Sequence, residues 1–120
     1  LLQQEIDYTD SEIYEVYGLW INKQKHYLTF AWGTHGSGQQ HQLIKIYRLN
    51  GGQLEGCPEC IKQNYTIIQY QRGDTSNLRY DPENQTISFN KFMWNDKEGY
   101  YTPTGETIQL KFTGTMFERQ

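Results

Sequence analysis

Apolar and polar residues alternate with a period of two along much of this chain, the pattern of strands buried on one face. Near the C-terminus Ile108, Leu110 and Phe112 alternate with Gln109, Lys111 and Thr113. Ile87 and Phe89 alternate with Thr86, Ser88 and Asn90, and residues 26–32 set Leu28, Phe30 and Trp32 against Tyr27, Thr29 and Ala31. Residues 43–49 are apolar on both faces, as in a central strand. Residues 65–71, with Ile67, Ile68 and Tyr70, predict another strand.

Turn chemistry separates these segments. Asp81-Pro82-Glu83-Asn84 has the Asp and Pro of a type I turn, joining a strand around Leu78-Arg79-Tyr80 to the one around Ile87. Asn50-Gly51 tolerates the positive φ values of a tight hairpin. Pro103-Thr104-Gly105 reads as a third turn feeding the last long strand, and Gly114 as a bend before Met116 and Phe117. Residues 33–40, rich in Gly, form a long hairpin connection. They lack the Lys-Ser/Thr ending and the following helix of a phosphate loop.

The N-terminal segment reads differently. Thr9-Asp10-Ser11-Glu12 has the spacing of a capping box, and Ile13, Val16, Tyr17 and Trp20 follow at helical intervals until Gly18 interrupts them. One or two helical turns before a strand near Leu19 are expected, with an edge strand over residues 13–21 as the alternative. No segment in the body of the chain keeps a helical period over three turns, which excludes βαβ folds. The expected architecture is all-β: an antiparallel meander of seven to eight strands, forming a flattened barrel or sandwich, with a short N-terminal helical segment. It occupies one domain, residues 1–120.

Composition adjusts this picture. Mean hydropathy is low for a packed protein, and 36% of the residues are hydrophobic. The 15% aromatic content, with 10 Tyr, 5 Phe and 3 Trp, nevertheless argues for a folded chain, since each aromatic buries a large area. A net charge of −3 without a basic cluster disfavours nucleic acid as a partner. No apolar run is long enough to span a bilayer. The chain begins Leu1-Leu2-Gln3-Gln4-Glu5 without an initiator Met, so trimming is expected, and loss of a signal peptide would fit. With a surface rich in Gln, Asn, Thr and Tyr, an exported location (periplasmic, cell-surface or extracellular) is expected.

Candidate chemistry is sparse. Cys57-Pro58-Glu59-Cys60 fits a local disulfide bracing a loop, a pair of inert thiols, half of a zinc site or a redox dithiol. The motif is followed by a strand rather than a helix, which removes the support a redox dithiol needs. No second C-x-x-C completes a zinc site, and His26, His35 and His41 lack paired spacing. A disulfide between Cys57 and Cys60 is the expected state, with no metal and no cofactor. Acidic Glu5, Asp7, Asp10, Glu12 and Glu15 make a solvated face rather than a calcium loop. Asn64-Tyr65-Thr66 and Asn84-Gln85-Thr86 match the N-glycosylation triplet. Trp20, Trp32 and Trp94 either stand in for missing aliphatics in the core or offer faces for stacking on a ligand. Trp32, His35, His41 and Trp94 are the candidate ligand-contacting residues.

Gly18-Leu19-Trp20, at the start of the first strand, resembles the G-x-W signature of lipocalin-like (calycin) barrels. The resemblance implies a Trp packed at the closed end of a barrel beneath a basic residue near the last strand, for which Arg119 is the candidate. Residues 108–118, together with the strand over residues 43–49, are similar to small exported β-domains of uncharacterised function from Bacteroidetes-type bacteria. Neither resemblance implies an activity. The expected function is non-enzymatic: binding of a small apolar or sugar-like ligand through aromatics. The alternative is a structural or protein-interaction module without a small-molecule ligand, and a third reading is an enzyme with a zinc or thiol site at Cys57 and Cys60.

Overall fold

The alternation seen along the chain is resolved into two antiparallel sheets in a computed structural model, which describes residues 11–34 and 38–120. The first sheet contains β1 (Glu12–Ile21), β2 (Gln24–Thr34), β3 (Gln39–Asn50), β4 (Gln53–Gly56) and β5 (Ile67–Gln71). The second contains β6 (Arg79–Asp81), β7 (Thr86–Asn95), β8 (Tyr100–Phe112) and β9 (Phe117–Arg119), each paired with its neighbour in sequence. Apart from two three-residue 3₁₀ turns, Pro58–Cys60 and Gln63–Tyr65, the described residues form no helix. None is therefore long and apolar enough to cross a membrane. The sheets do not close into a barrel.

One core joins the two sheets. Leu19, Leu28, Phe30, Ile44, Ile46 and Ile68 from the first meet Tyr80, Ile87, Phe89, Ile108, Leu110 and Phe117 from the second. As expected of a strand apolar on both faces, β3 is central. It pairs with β2 along one edge, while β4 and β5 share the other edge at opposite ends. The chain between β4 and β5 crosses the middle of that edge, tied to it by Cys57 N–H to Ile46 O (2.7 Å), while Ile44 N–H bonds Thr66 O (2.8 Å).

The helical turns expected after Glu12 are replaced by strand β1, the alternative reading; Thr9 and Asp10 lie outside the described residues. Ile13, Val16, Tyr17 and Trp20 fit a helical spacing, but β-branched and aromatic residues are equally at home in a strand. Pairing with β2 along the whole segment supplies ladder bonds that a local cap cannot match. Pro103-Thr104-Gly105 is not a turn but part of a bulge within β8. Asn90 pairs with Thr107 and Phe92 with Pro103, so residues 104–106 face the single residue Lys91. The β7–β8 turn instead falls at residues 96–99, where Asn95 Oδ1 accepts from the N–H groups of Lys97 (3.0 Å) and Glu98 (3.1 Å). The tight turn after β3 is formed by Gly51 and Gly52, both at positive φ, one residue later than Asn50-Gly51. The connection between β2 and β3 is shorter than residues 33–40, because Gly33, Thr34, Gln39 and Gln40 belong to strands. Asp81 does organise its hairpin: Oδ1 accepts from Glu83 N–H (3.0 Å) and Oδ2 from Asn84 Nδ2 (2.7 Å).

Candidate functional site

The inner face of β2 carries His26, Leu28, Phe30 and Trp32 in alternation. The middle pair is fully buried in the core, and the two ends run past it into different surroundings. Directly across from Trp32 lie Glu12 on β1 and Gln42 on β3. Gln40, two residues from Gln42, pairs in turn with Tyr70 on β5. At this end the aliphatic row of the sheet gives way to aromatic and amide side chains on the same face.

A bulge in β1 between Ile13 and Glu15 adds Tyr14 to that face, its ring centroid 6.4 Å from that of Phe30. The segment 74–78 closes the other side. Asn90 on β7 ties it to the second sheet, donating its backbone N–H to Ser76 O (2.6 Å) and Nδ2 to Thr75 O (3.1 Å). Ser76 Oγ donates to Gln42 Oε1, linking the segment to the first sheet. The result is an open cleft of about 530 Å³, with Tyr14, Trp32, Gln42, Tyr70, Asp74 and Asn77 in its walls.

Its side chains are held by one another. Gln42 Nε2 donates to Tyr14 Oη at 2.6 Å. Burial pushes the Tyr14 hydroxyl up to about 12, the nearby Glu15 carboxylate adds to this, and the bond from Gln42 opposes it. Burial also raises Tyr70, against a hydrogen bond from the Trp32 side chain. Both phenols therefore stay protonated at neutral pH and can donate or accept hydrogen bonds. Trp32 and Tyr14 remain 41% and 45% exposed, so each keeps a ring surface free for contact.

Of the candidate ligand-contacting residues Trp32, His41 and Trp94, the cleft takes only Trp32; His35 lies outside the described residues. His41 is 1% exposed and points away from the cleft, since it pairs with Gly33 on the outer face of β2. Its Nε2 is 2.8 Å from Ser11 Oγ. Trp94 stands half exposed at the far end of β7, edge-on to Tyr101 (centroids 5.3 Å apart) and donating Nε1–H to Asp96 Oδ1 at 2.6 Å. Trp20 is exposed on the outer face with Lys25 Nζ 5.1 Å from its ring centroid, and Arg119 is paired with Glu106. Sequence reading missed Tyr14, Gln42 and Tyr70, which become neighbours only through strand register and the β1 bulge.

The disulfide is present: Cys57 and Cys60 are bonded, both buried in the core, and brace the segment between β4 and β5. Compared with known protein families, with curated proteins and with solved structures, the chain finds no match.

Proposed function

We propose that this is an exported, non-enzymatic binding domain that takes a small sugar-like ligand in the cleft at Trp32. The observation that carries the reading is the composition of that cleft. Exposed ring faces of Trp32 and Tyr14 stand beside the amides of Gln40, Gln42 and Asn77 and the carboxylates of Glu12 and Asp74. Sugar rings present apolar C–H faces and a rim of hydroxyls, and aromatic faces beside amides and carboxylates match both. A purely apolar ligand would leave those polar groups unpaired. The disulfide supports the exported location, because such bonds persist in oxidising compartments.

The test is a glycan array followed by calorimetric titration of the leading sugars against the native chain and Trp32→Ala. Saturable binding to one glycan class, weakened by the substitution, is the expected result. Uniformly flat titrations would overturn the reading.

A second reading rests on a different surface. The outer face of the first sheet exposes Ile13, Val16, Leu49 and Leu54 beside Tyr27 and Tyr47, a nearly apolar groove of about 550 Å³. A contiguous apolar patch favours a protein-interaction module. On that reading Val16→Glu or Leu54→Glu abolishes partner capture and leaves glycan titrations unchanged.

A further inference from the structure

At the end of β2 opposite Trp32, the inner face presents His26, 3% exposed, beside the Cys57–Cys60 disulfide. One ring nitrogen of His26 and both sulfurs lie within 4.8 Å of one another. We propose that, once the disulfide is reduced, His26, Cys57 and Cys60 form a binding site for zinc or a similarly thiophilic divalent cation. The proposal is independent of the cleft at Trp32.

Four features favour this chemistry. A Cys-x-x-Cys loop is a common zinc-ligand spacing, and imidazole and thiolate are the ligands zinc prefers. The third ligand, 31 residues before Cys57 in sequence, is supplied by sheet register, so the sequence shows no motif. His26 Nδ1 lies 3.0 Å from the carbonyl oxygen of Gln24. A carbonyl only accepts, so Nδ1 carries a proton; in the neutral ring this leaves the lone pair on Nε2, with the carbonyl orienting the imidazole as it does in many metal-binding histidines. Zn²⁺ with two thiolates and a neutral imidazole has no net charge, which suits a buried position.

The same end of the fold holds a cavity of about 250 Å³ lined by these three residues with Arg48, Glu59 and Met116. Arg48 Nη2 holds Glu59 Oε2 at 2.7 Å, so the carboxylate is engaged by the guanidinium. The cavity leaves the fourth position to water. In the opening step a dithiol reductant gives two electrons to the S–S bond. The bond breaks, both sulfurs leave as thiols, and the reductant closes its own disulfide. Zn²⁺ then displaces the two thiol protons into water as two Zn–S bonds and one Zn–N bond form.

The experiment is anaerobic titration of the full chain with Co²⁺ as a spectroscopic stand-in for zinc, before and after reduction by a dithiol that is then removed. Reduced protein is expected to take up one equivalent, with thiolate-to-cobalt charge-transfer and tetrahedral ligand-field absorption; oxidised protein is expected to show neither. His26→Gln should weaken uptake at least roughly tenfold while keeping the charge-transfer bands. If His26→Gln does not fold, X-ray absorption of the zinc-loaded native chain reads the same point through a shell of two sulfurs and at least one imidazole nitrogen. Absence of uptake by reduced protein, a shell without imidazole, or equal affinity in His26→Gln would overturn the proposal. Should reduction unfold the chain, recovery of the far-ultraviolet circular dichroism on adding Co²⁺ supports it, and failure to recover refutes it.

Discussion

Gly33 and His41 face each other across β2 and β3, and the His41 ring fills the space that a Cβ on Gly33 would need. That Cβ would lie 2.8 Å from His41 Nε2 and 2.9 Å from Cε1. The ring is buried and held by Ser11, so it has little room to give. Alanine normally suits a strand better than glycine, but here contact decides the sign. Gly33→Ala is expected to destabilise the protein by roughly 1–3 kcal/mol, the usual cost of overpacking. Adding His41→Ala should recover part of that loss, read as a non-additive double-mutant cycle in urea.

The β1–β2 hairpin turns through Asn22 and Lys23, at φ of 52° and 66°. Asn tolerates this left-handed region, whereas Lys pays a steric cost there. Lys23→Gly should raise stability by up to about 1 kcal/mol, seen as a higher urea midpoint with unchanged slope.

Removing the disulfide frees a loop of only a few residues. Loop-closure entropy for so short a span predicts a loss of about 2 kcal/mol for Cys57→Ala/Cys60→Ala. Reducing the native chain without metal should lower the midpoint by a similar amount. An unchanged midpoint in both cases would show that packing around Ile61 and Phe117 holds the segment without the bond.

Tyr14 and Tyr17 give the alkaline limit of the fold. Burial, with the Glu15 charge, pushes Tyr14 up to about 12; the hydrogen bond Tyr17 donates to Glu15 (2.6 Å), with burial, pushes it to about 12 as well. An unfolded Tyr titrates near 10. The folded state therefore holds these protons more tightly, and their contribution is complete below about pH 10 and lost as pH rises towards 12. Tyr17→Phe is expected to flatten that decline, measured as urea midpoint against pH. In the native chain, tyrosinate absorbance should show a late-titrating set.

Trp32 and Trp94 separate the ligand hypothesis from simple aromatic exposure. Trp32→Ala should weaken glycan binding at least roughly tenfold, as for a contact residue in a cleft. Trp94→Ala, outside the cleft and edge-on to Tyr101, should leave affinity unchanged.

Alternation by itself determined most of the fold: the buried rows of β2, β7 and β8, the central place of β3 and the Asp81 hairpin follow from side chains that must leave water or from turn chemistry local to a few residues. The Cys57–Cys60 bond was equally legible, because three residues of separation already bring the thiols within reach. Tertiary structure decided the rest. Residues 12–21 satisfy both a helical and a strand period, and only the partner strand β2 chose between them. Pro103-Thr104-Gly105 carries turn chemistry, yet pairing on either side converts it to a bulge. The cleft joins Tyr14, Trp32, Gln42 and Tyr70 from four strands, and the buried triad joins His26 to Cys57 and Cys60. Both depend on register between distant segments, a cooperative property of the folded sheet that no local spacing encodes.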